Sequence, residues 1–336
     1  MWVGFLATAQ NKNKAVEDWW QPDTLYGYIT DSEHPANRMI FSYNAQNFVI
    51  ARLGQTWQNE NWTNYTKRTY TYDTHNNMLT WLFQKWQDEN WMNCVKYTYT
   101  YNIRNNLLFE LLQIWKDENW KNNCKFTYTY NVQNNKRTTL RQNWKDENWK
   151  NTYKGTYTYN MQNNLRTHLF KDWENNKWEN YSKTTYIYDR KNNKLTELEQ
   201  RCYSDNWENN LKTIYTHDEQ NNRLTELVKA WEDDNWRNRA KFTYTYDEKN
   251  NVLSELFQIW KDDYWKDDNW ENYRKYMWTY DENNNTIVAE YWEWDGENWQ
   301  QKNEYLTLHY NYMQNDMQYG FNTHKITATY IKVPKR

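Results

Sequence analysis

Aromatic, polar and apolar positions recur along the chain with a period of 29 residues. The marker of this period is the residue that precedes each polar turn: Tyr43, Tyr72, Tyr101, Tyr130, Tyr159, Tyr188, His217 and Tyr246. Tyr280 follows after an insertion, Lys261–Trp265, and a degenerate last copy ends at Tyr310. Within each unit, two polar turns separate two stretches of alternating residues, which is typical of β-strands. The pattern therefore predicts tandem β-hairpins in an all-β fold.

The two turns of each repeat have different chemistry. The first, such as Asp73–Asn77, fits a three-residue loop that ends on a left-handed residue, where Asn is the best substitute for Gly. We expect left-handed backbone at Asn47, Asn76, Asn105, Asn134, Asn163, Asn192, Asn221, Asn250 and Asn284. The second turn, Gln87–Asn90, lies between Trp86 and Trp91 and places these two residues opposite each other.

Period-2 alternation assigns side chains to two faces of the predicted sheet. If Asp73 pairs with Asn77, one face carries Tyr70, Tyr72, Thr80, Leu82, Gln84, Trp86 and Trp91. The opposite face then carries Lys67, Thr69, Thr71, Leu79, Trp81 and Phe83. Because the first face collects the most regular large residues, we expect it to be the core.

The sheet is expected to be one long, twisted and curled antiparallel meander, since sheets of many strands do not stay flat. The repeat array covers residues 43–310, and irregular caps at 10–42 and 311–336 are expected to cover its edges. Residues 1–9 have the apolar stretch and small-residue pattern of the end of a signal peptide, and the alternative is an apolar first strand. Cys202 and His217, which replace a Trp and a Tyr, mark the expected weakest stretch of the array.

Composition supports a folded β-protein. The chain has 336 residues with 24 Trp, 31 Tyr and only 6 Gly, and disordered chains are poor in aromatic residues. The net charge of −2 gives no strong attraction to nucleic acid or anionic membranes. No apolar stretch approaches the roughly 20 residues of a transmembrane helix. Cys94, Cys124 and Cys202 have neither disulfide nor metal-ligand spacing and are expected to be free thiols.

The string Tyr70 to Leu79, which reads Y-T-Y-D-T-H-N-N-M-L, resembles the YD repeat of RHS and teneurin-type proteins. It is more similar still to the tandem W-x-N-x-x-K-x-T-Y-T-Y-D-x-x-G-N arrays of secreted Bacteroidetes proteins. The resemblance covers roughly residues 40–310 and departs in using Asn for the turn Gly. It implies a spiralling sheet of β-hairpins and an extracellular or cell-surface location.

Catalysis is not indicated by any motif. The six His are scattered, and no His–Cys cluster, nucleophile elbow or phosphate-binding Gly loop is present. Acidic residues recur periodically at turns, whereas an active site is a singular constellation. We therefore expect a protein that is not an enzyme and that uses no cofactor or metal.

Aromatic residues are the first candidates for binding, because flat rings next to amides suit sugars. The alternative, which we favour, is that the regular Trp and Tyr rows form the core. Aromatic residues outside the regular pattern are then the better candidates for ligand or partner contacts: Trp81, Trp278, Trp292, Tyr264 and Trp265.

Two charged rows are also repeated. Acidic turns such as Asp88-Glu89 and Asp117-Glu118 are spaced too widely to share a calcium ion, and solvated turns are the better interpretation. The lysine row is typical of nucleic-acid platforms, but glutamates such as Glu110 are expected to neutralise it from the same face. Its members are Lys67, Lys96, Lys125, Lys154, Lys183, Lys212, Lys241 and Lys275.

The sequence as a whole predicts a secreted or cell-surface repeat scaffold, with a periplasmic location as an alternative. We expect it to mediate protein interaction or to form part of a surface assembly. The alternative function is a glycan-binding module that uses exposed Trp and Tyr.

Overall fold

A computed structural model describes residues 19–29, 32–261, 269–302, 304–310, 317–323 and 325–333. These residues form 23 strands. The strands are β1 (Trp19–Tyr28), β2 (Asn37–Tyr43), β3 (Val49–Gln58), β4 (Asn61–Tyr72), β5 (Met78–Gln87), β6 (Asn90–Tyr101), β7 (Leu107–Lys116), β8 (Asn119–Tyr130), β9 (Lys136–Lys145), β10 (Asn148–Tyr159), β11 (Leu165–Glu174), β12 (Lys177–Tyr188), β13 (Lys194–Tyr203), β14 (Asn206–His217), β15 (Arg223–Glu232), β16 (Asn235–Tyr246), β17 (Val252–Lys261), β18 (Asn269–Tyr280), β19 (Thr286–Trp294), β20 (Trp299–Gln301), β21 (Glu304–Tyr310), β22 (Met317–Thr323) and β23 (Lys325–Val333). The described part of the chain contains no helix that is long and apolar enough to cross a membrane.

The chain divides into two compact units. The first contains residues 1–41, 55–63 and 213–336, and the second contains residues 42–54 and 64–212. In the second unit, each strand from β4 to β13 pairs antiparallel with the next. In the first unit, the strands from β15 to β20 pair in the same sequential way. The prediction of antiparallel β-hairpins is confirmed.

The three-residue loops have the predicted conformation. Asn76 adopts a φ of 65°, and the same left-handed backbone occurs at each of the nine predicted Asn positions. The Asn76 amide donates to the Asp73 carbonyl at 3.1 Å, and the Asp73 amide donates to the Asn77 carbonyl at 2.9 Å. The Asp73 carboxylate accepts the amides of His75 and Asn77 at 2.8 Å each, which fixes the turn further.

The two-residue turns place two successive residues in the left-handed region. Asp88 and Glu89 have φ values of 49° and 60°, the signature of a type I′ hairpin turn. Trp86 and Trp91 face each other across this turn with ring centroids 4.9 Å apart, as predicted. The turn therefore has the hairpin geometry that normally selects Asn-Gly, but it is built from two acidic residues.

Two β-bulges in each repeat change the predicted faces. The register moves from Tyr72↔Met78 to Thr71↔Thr80, which leaves Leu79 unpaired and brings Tyr70 opposite Trp81. A second shift leaves Cys94 unpaired on β6. Because an extra residue reverses the alternation of a strand, the prediction that Tyr70 and Tyr72 share a face with Thr80, Leu82, Gln84, Trp86 and Trp91 is wrong.

The observed registers divide the side chains between a tyrosine face and a lysine–tryptophan face. The tyrosine face carries Tyr70, Trp81, Phe83, Tyr97 and Tyr99 and their equivalents in other repeats. The lysine–tryptophan face carries Lys67, Thr71, Thr80, Leu82, Gln84, Trp86 and Trp91 and their equivalents.

Burial is concentrated on the tyrosine face. The buried residues that the registers assign to strands β4–β18 all lie there: Tyr70, Cys124, Thr139, Glu226, Ala230, Ala240, Tyr244 and Glu255. On the other face, Trp144 remains 36% exposed. The core of the repeats is thus the side of the tyrosines, and the tryptophan pairs belong to the less buried side.

The described parts of the terminal segments form strands that pair with one another. β1 pairs with β2 and with β23, and β23 also pairs with β19. Leu25 in β1 and Ile326 in β23 are completely buried. The sheet is therefore not an open meander, because β1 and β23 bridge β2 and β19 by hydrogen bonds. The predicted signal segment, residues 1–9, lies outside the described residues, as do residues 262–265 of the insertion.

Candidate functional site

Of the candidate contact residues from the sequence, Trp81 lies in the second unit, and Trp278 and Trp292 lie in the first. Trp81 lies on the tyrosine face, where its ring is 4.9 Å from that of Tyr97. Trp278 lies on the equivalent face of β18, opposite Ala289 and stacked on Tyr276. Both residues therefore take part in aromatic packing within the sheet.

Trp292 lies on the opposite face of β19, paired with Lys275. Its indole nitrogen is buried without a hydrogen-bond partner among the described residues, and the Lys275 ammonium lies 5.9 Å from its ring centroid. Tyr264 and Trp265 lie outside the described residues. The described candidates take part in packing within the sheet, so we sought functional surfaces in the repeated features.

The lysine–tryptophan face of the second unit is one such surface. Four Trp pairs lie along it at successive repeats: Trp86–Trp91, Trp115–Trp120, Trp144–Trp149 and Trp173–Trp178. Their ring centroids are 4.8–5.1 Å apart in edge-to-face geometry, which is favourable for aromatic pairs.

Lysines of this row contact a tryptophan of the next repeat. The ammonium of Lys67 lies 5.7 Å from the Trp91 ring, and that of Lys125 lies 4.5 Å from the Trp149 ring. Lys96 contacts Trp120 in the same way. Burial lowers the pKa of Lys125. These cations are thus held next to aromatic rings, where a cation–π contact contributes about 0.5–1 kcal/mol at an exposed site.

The predicted neutralisation of the lysines by glutamates is wrong. Glu110 pairs with Tyr99 and Phe126 on the tyrosine face, opposite to Lys96. The registers place every acidic residue of strands β4–β13 on that face: Glu110, Asp172, Glu174, Glu179, Glu197 and Glu199. This error and the wrong assignment of side chains to the two faces have the same cause, because each bulge shifts the alternation of side chains along its strand by one residue.

Polar side chains share the lysine–tryptophan face with leucines such as Leu82. Gln84 Nε2 donates to Asn93 Oδ1 at 3.1 Å, and the equivalent amide pair recurs in later repeats. The Thr71 and Thr80 hydroxyls lie 2.7 Å apart and form a hydrogen bond across the strands. Each such pair keeps spare donor and acceptor capacity.

The edge formed by the three-residue loops is a second surface. Three consecutive loops in the second unit expose apolar tips, with Ile103 101%, Val132 84% and Met161 95% exposed. Shallow depressions of about 460 Å³ and 350 Å³ lie between them. Tyr157 and Tyr159 line the larger one together with Met161.

The same three loops also lack the acidic residue that begins most other loops. Asn102, Asn131 and Asn160 stand where Asp73 and Asp189 stand elsewhere. Asn102 Oδ1 accepts the amides of Arg104 and Asn106 just as the aspartate does, so the turn itself does not require the neutral residue. Loss of charge and gain of an apolar tip therefore coincide in three neighbouring repeats. Both changes are visible in the sequence, but the repeat pattern alone did not mark these loops as a candidate site.

Amide side chains link neighbouring loops along this edge. Asn77 Nδ2 donates to Asn105 Oδ1 at 3.0 Å, and Asn135 and Asn164 bond in the same way to Asn163 and Asn192. The apolar tips consequently stand on loops that are tied to one another.

A buried titratable cluster lies in the first unit. The Tyr244 hydroxyl donates to Glu226 Oε1 at 3.0 Å, and Arg223 forms an ion pair with the same carboxylate. Burial raises the pKa of Glu255 to about 7, while the Arg274 guanidinium opposes this shift. Glu255 is only 5% exposed, so the cluster is part of the core and not an accessible site.

Among the described residues we find no cluster of side chains that is suited to metal binding or to thiol chemistry. No group of three or more His, Cys, Asp or Glu residues there has metal-binding geometry. Cys94, Cys124 and Cys202 are free thiols in separate repeats.

No protein-family model matches the chain, and no curated protein matches it. Among solved structures, the complex TcdB2-TccC3-Cdc42 is similar over 79% of this chain and 16% of that chain, at 10% identity and a TM-score of 0.35. A porin-like protein from Bacteroides uniformis is similar over 75% and 93%, at 12% identity and 0.32. A protein of unknown function from Bacteroides fragilis is similar over 35% and 91%, at 12% identity and 0.31. TM-scores below 0.5 do not establish a shared fold, so these similarities assign neither a family nor a function.

Proposed function

We propose that this protein is a non-catalytic, secreted or cell-surface scaffold that binds a partner protein through the loop edge of its second unit. The observation that carries the proposal is the row of apolar tips at Ile103, Val132 and Met161. Large apolar side chains that stand fully in solvent on neighbouring loops are a liability in an isolated protein, and contiguous exposed apolar groups mark interaction surfaces.

The geometry of the edge suits a protein partner. Antiparallel strands lie about 4.8 Å apart, so tips in successive hairpins lie about 10 Å apart. Apolar side chains of a partner can enter the depressions between the tips, while Asn and Gln side chains at the rim supply hydrogen bonds. Met161 adds a flexible, polarisable contact that adapts to different partners.

The location and the relationship to YD-type repeats belong to the same proposal. The repeat strings that resemble YD repeats fold here as hairpins with left-handed Asn in place of the turn Gly. A protein with tryptophan-rich repeats and polar edges is well suited to display at a cell surface, where partner proteins meet its loops.

A photocrosslinking experiment tests the proposal. A photoreactive residue is placed at position 103, 132 or 161 of the full chain, and in matched controls at Glu219 or Glu248, which occupy the same loop position. After irradiation on cells of the source organism, we expect discrete protein adducts from the apolar tips and none from the controls. Excess unlabelled protein should compete, whereas a variant with Ile103→Glu, Val132→Glu and Met161→Glu should not. Equal labelling from both sets, or lipid adducts alone, would contradict the proposal.

A further inference from the structure

We propose that the lysine–tryptophan face of the second unit binds an acidic polysaccharide whose chain runs across the strands. This surface is separate from the loop edge, and the ligand belongs to a different class from the partner protein proposed above. The inference depends on the charge of this face, on its neutral side chains and on the distance between its lysines.

The charge on this face is positive and uncompensated. Six lysines of strands β4–β12 lie on it, and none of them forms an ion pair with a described residue: Lys67, Lys96, Lys125, Lys154, Lys171 and Lys183. All acidic residues of β4–β13 lie on the opposite face. A polyanion that lies across the strands of this face would therefore meet cations without competing carboxylates from those strands.

Lys154 and Lys171 are direct cross-strand partners. Like charges directly opposite each other destabilise a sheet, because their repulsion is not offset by a neighbouring anion. A bound carboxylate or sulfate between the two ammonium groups would convert this repulsion into attraction. The pair is a local signature of an anion-binding surface within the row.

The neutral side chains have the chemistry that recognises sugars. The tryptophan pairs present apolar ring edges and faces, as at the partly exposed Trp144. The amide pair Gln84–Asn93 and the hydroxyl pair Thr71–Thr80 offer further hydrogen bonds to hydroxyl groups. Rings, amides and hydroxyls recur with each lysine, so a repeating polymer would meet the same set of contacts in each hairpin.

The spacing of the charges distinguishes between classes of polyanion. Lysines in successive hairpins lie about 10 Å apart, because strands are spaced by about 4.8 Å. Duplex DNA carries one charge per roughly 1.7 Å, which is much denser than this row. The register-paired positions of the face also carry no arginine, the side chain that proteins prefer for bidentate phosphate contacts. An acidic polysaccharide with one carboxylate per sugar, of which every second one can meet a lysine of the row, matches the row better than a nucleic acid.

Binding of polygalacturonate, fully methyl-esterified polygalacturonate and single-stranded DNA to the full chain tests this inference by titration. The esterified polymer has the same backbone without the charge. We expect polygalacturonate to bind with an affinity that falls as salt is added, and the esterified form to bind at least about tenfold more weakly. A triple variant, Lys96→Gln, Lys125→Gln and Lys154→Gln, should lose about tenfold or more in affinity.

A matched control removes the same charge elsewhere. Lys116→Gln, Lys121→Gln and Lys150→Gln replace three lysines outside the lysine–tryptophan face, and this variant should bind within about twofold of the wild-type protein. The double variant Lys154→Gln, Lys171→Gln provides a second measurement that does not depend on tolerance of the triple change. Because it removes a like-charge pair, it should unfold at a higher urea concentration and still bind polygalacturonate more weakly.

Three results would overturn the inference. The first is no binding of polygalacturonate by the folded wild-type protein. The second is an equal loss of affinity in the face and control variants, which would indicate non-specific attraction. The third is single-stranded DNA binding as tightly as polygalacturonate through the same lysines, which would assign the face to nucleic acid instead.

Discussion

Burial in this protein changes the protonation state that an individual side chain prefers. Glu255 is a carboxylic acid at a buried position between Tyr244 and Phe257 on neighbouring tyrosine-face positions. The ionised form is disfavoured there, because burial removes its hydration and only partly replaces it with the attraction of Arg274. The acid therefore remains protonated to a higher pH than in the unfolded chain.

This environment predicts how stability depends on pH. The pKa of Glu255 is about 7 in the folded protein, against an ordinary value of 4.5. Since the folded pKa is the higher one, the contribution of this group to stability is complete below pH 4.5 and is lost as the pH rises through about 7. The Glu255→Gln variant should therefore gain on the wild-type protein over this window, by up to about 3 kcal/mol in the free energy of unfolding.

Urea denaturation of both proteins between about pH 4 and pH 8 measures the difference. The exposed loop variant Glu248→Gln is the control and should follow the wild-type curve. A constant difference between Glu255→Gln and the wild-type protein across this range would show that Glu255 does not titrate there.

At the scale of elements, the sequence predicts the hairpins and their turns but not the faces of the strands. The position of Asn76 in a D-x-x-N-N string is sufficient to predict its left-handed backbone, because local sterics decide it. The bulges at Leu79 and Cys94 carry no comparable local signal, since packing between strands decides where an extra residue is accommodated. One unpaired residue moves Trp86 away from the side of the tyrosines and moves Glu110 onto it, opposite to Lys96. The lysine–tryptophan face could therefore not be found without the register.

The type I′ turns lead to a prediction about stability. Asp88 and Glu89 both adopt positive φ, which costs a non-Gly residue roughly 1 kcal/mol and which Asn-Gly accepts more readily. The double variant Asp88→Asn, Glu89→Gly should raise the free energy of unfolding by about 1 kcal/mol, measured as a shift of the urea midpoint. His75→Gly is the control, because His75 has no positive φ and gains only flexibility in the unfolded chain. If the Asn-Gly turn is no more stable than the control, backbone strain at the turn is negligible.

On the scale of the whole molecule, the first and last described strands are joined. The Thr24 amide donates to the Thr329 hydroxyl at 3.2 Å, and the Thr329 hydroxyl donates to the Thr24 carbonyl at 3.2 Å. Nearly all other strand pairs connect neighbours in sequence, whose contacts are local. The unit that contains both ends therefore depends on contacts between residues 305 positions apart.

The completely buried Ile326 provides a test of this dependence. Ile326→Ala should lower the free energy of unfolding by about 2–5 kcal/mol, because it leaves a cavity between β23 and its neighbours. Hydrogen exchange should increase in β1 and β19, the two strands bonded to β23, more than in β4–β13. Ile187→Ala, at an exposed position in the other unit, is the control. Unchanged protection of β1 in the Ile326 variant would contradict a stabilising role for the terminal pairing.

The pairing of β1 with β23 also determines how late during synthesis the first strand gains its second partner strand. Each hairpin can close as soon as its second strand leaves the ribosome, but one edge of β1 has no partner until β23 has been made. At about 5–20 residues per second, the intervening 305 residues take roughly 15–60 s to synthesise. Throughout this interval the nascent chain presents an open strand edge, which is the kind of surface that pairs with other chains. Cells that make this protein therefore have reason to shield its first strand until the last one arrives.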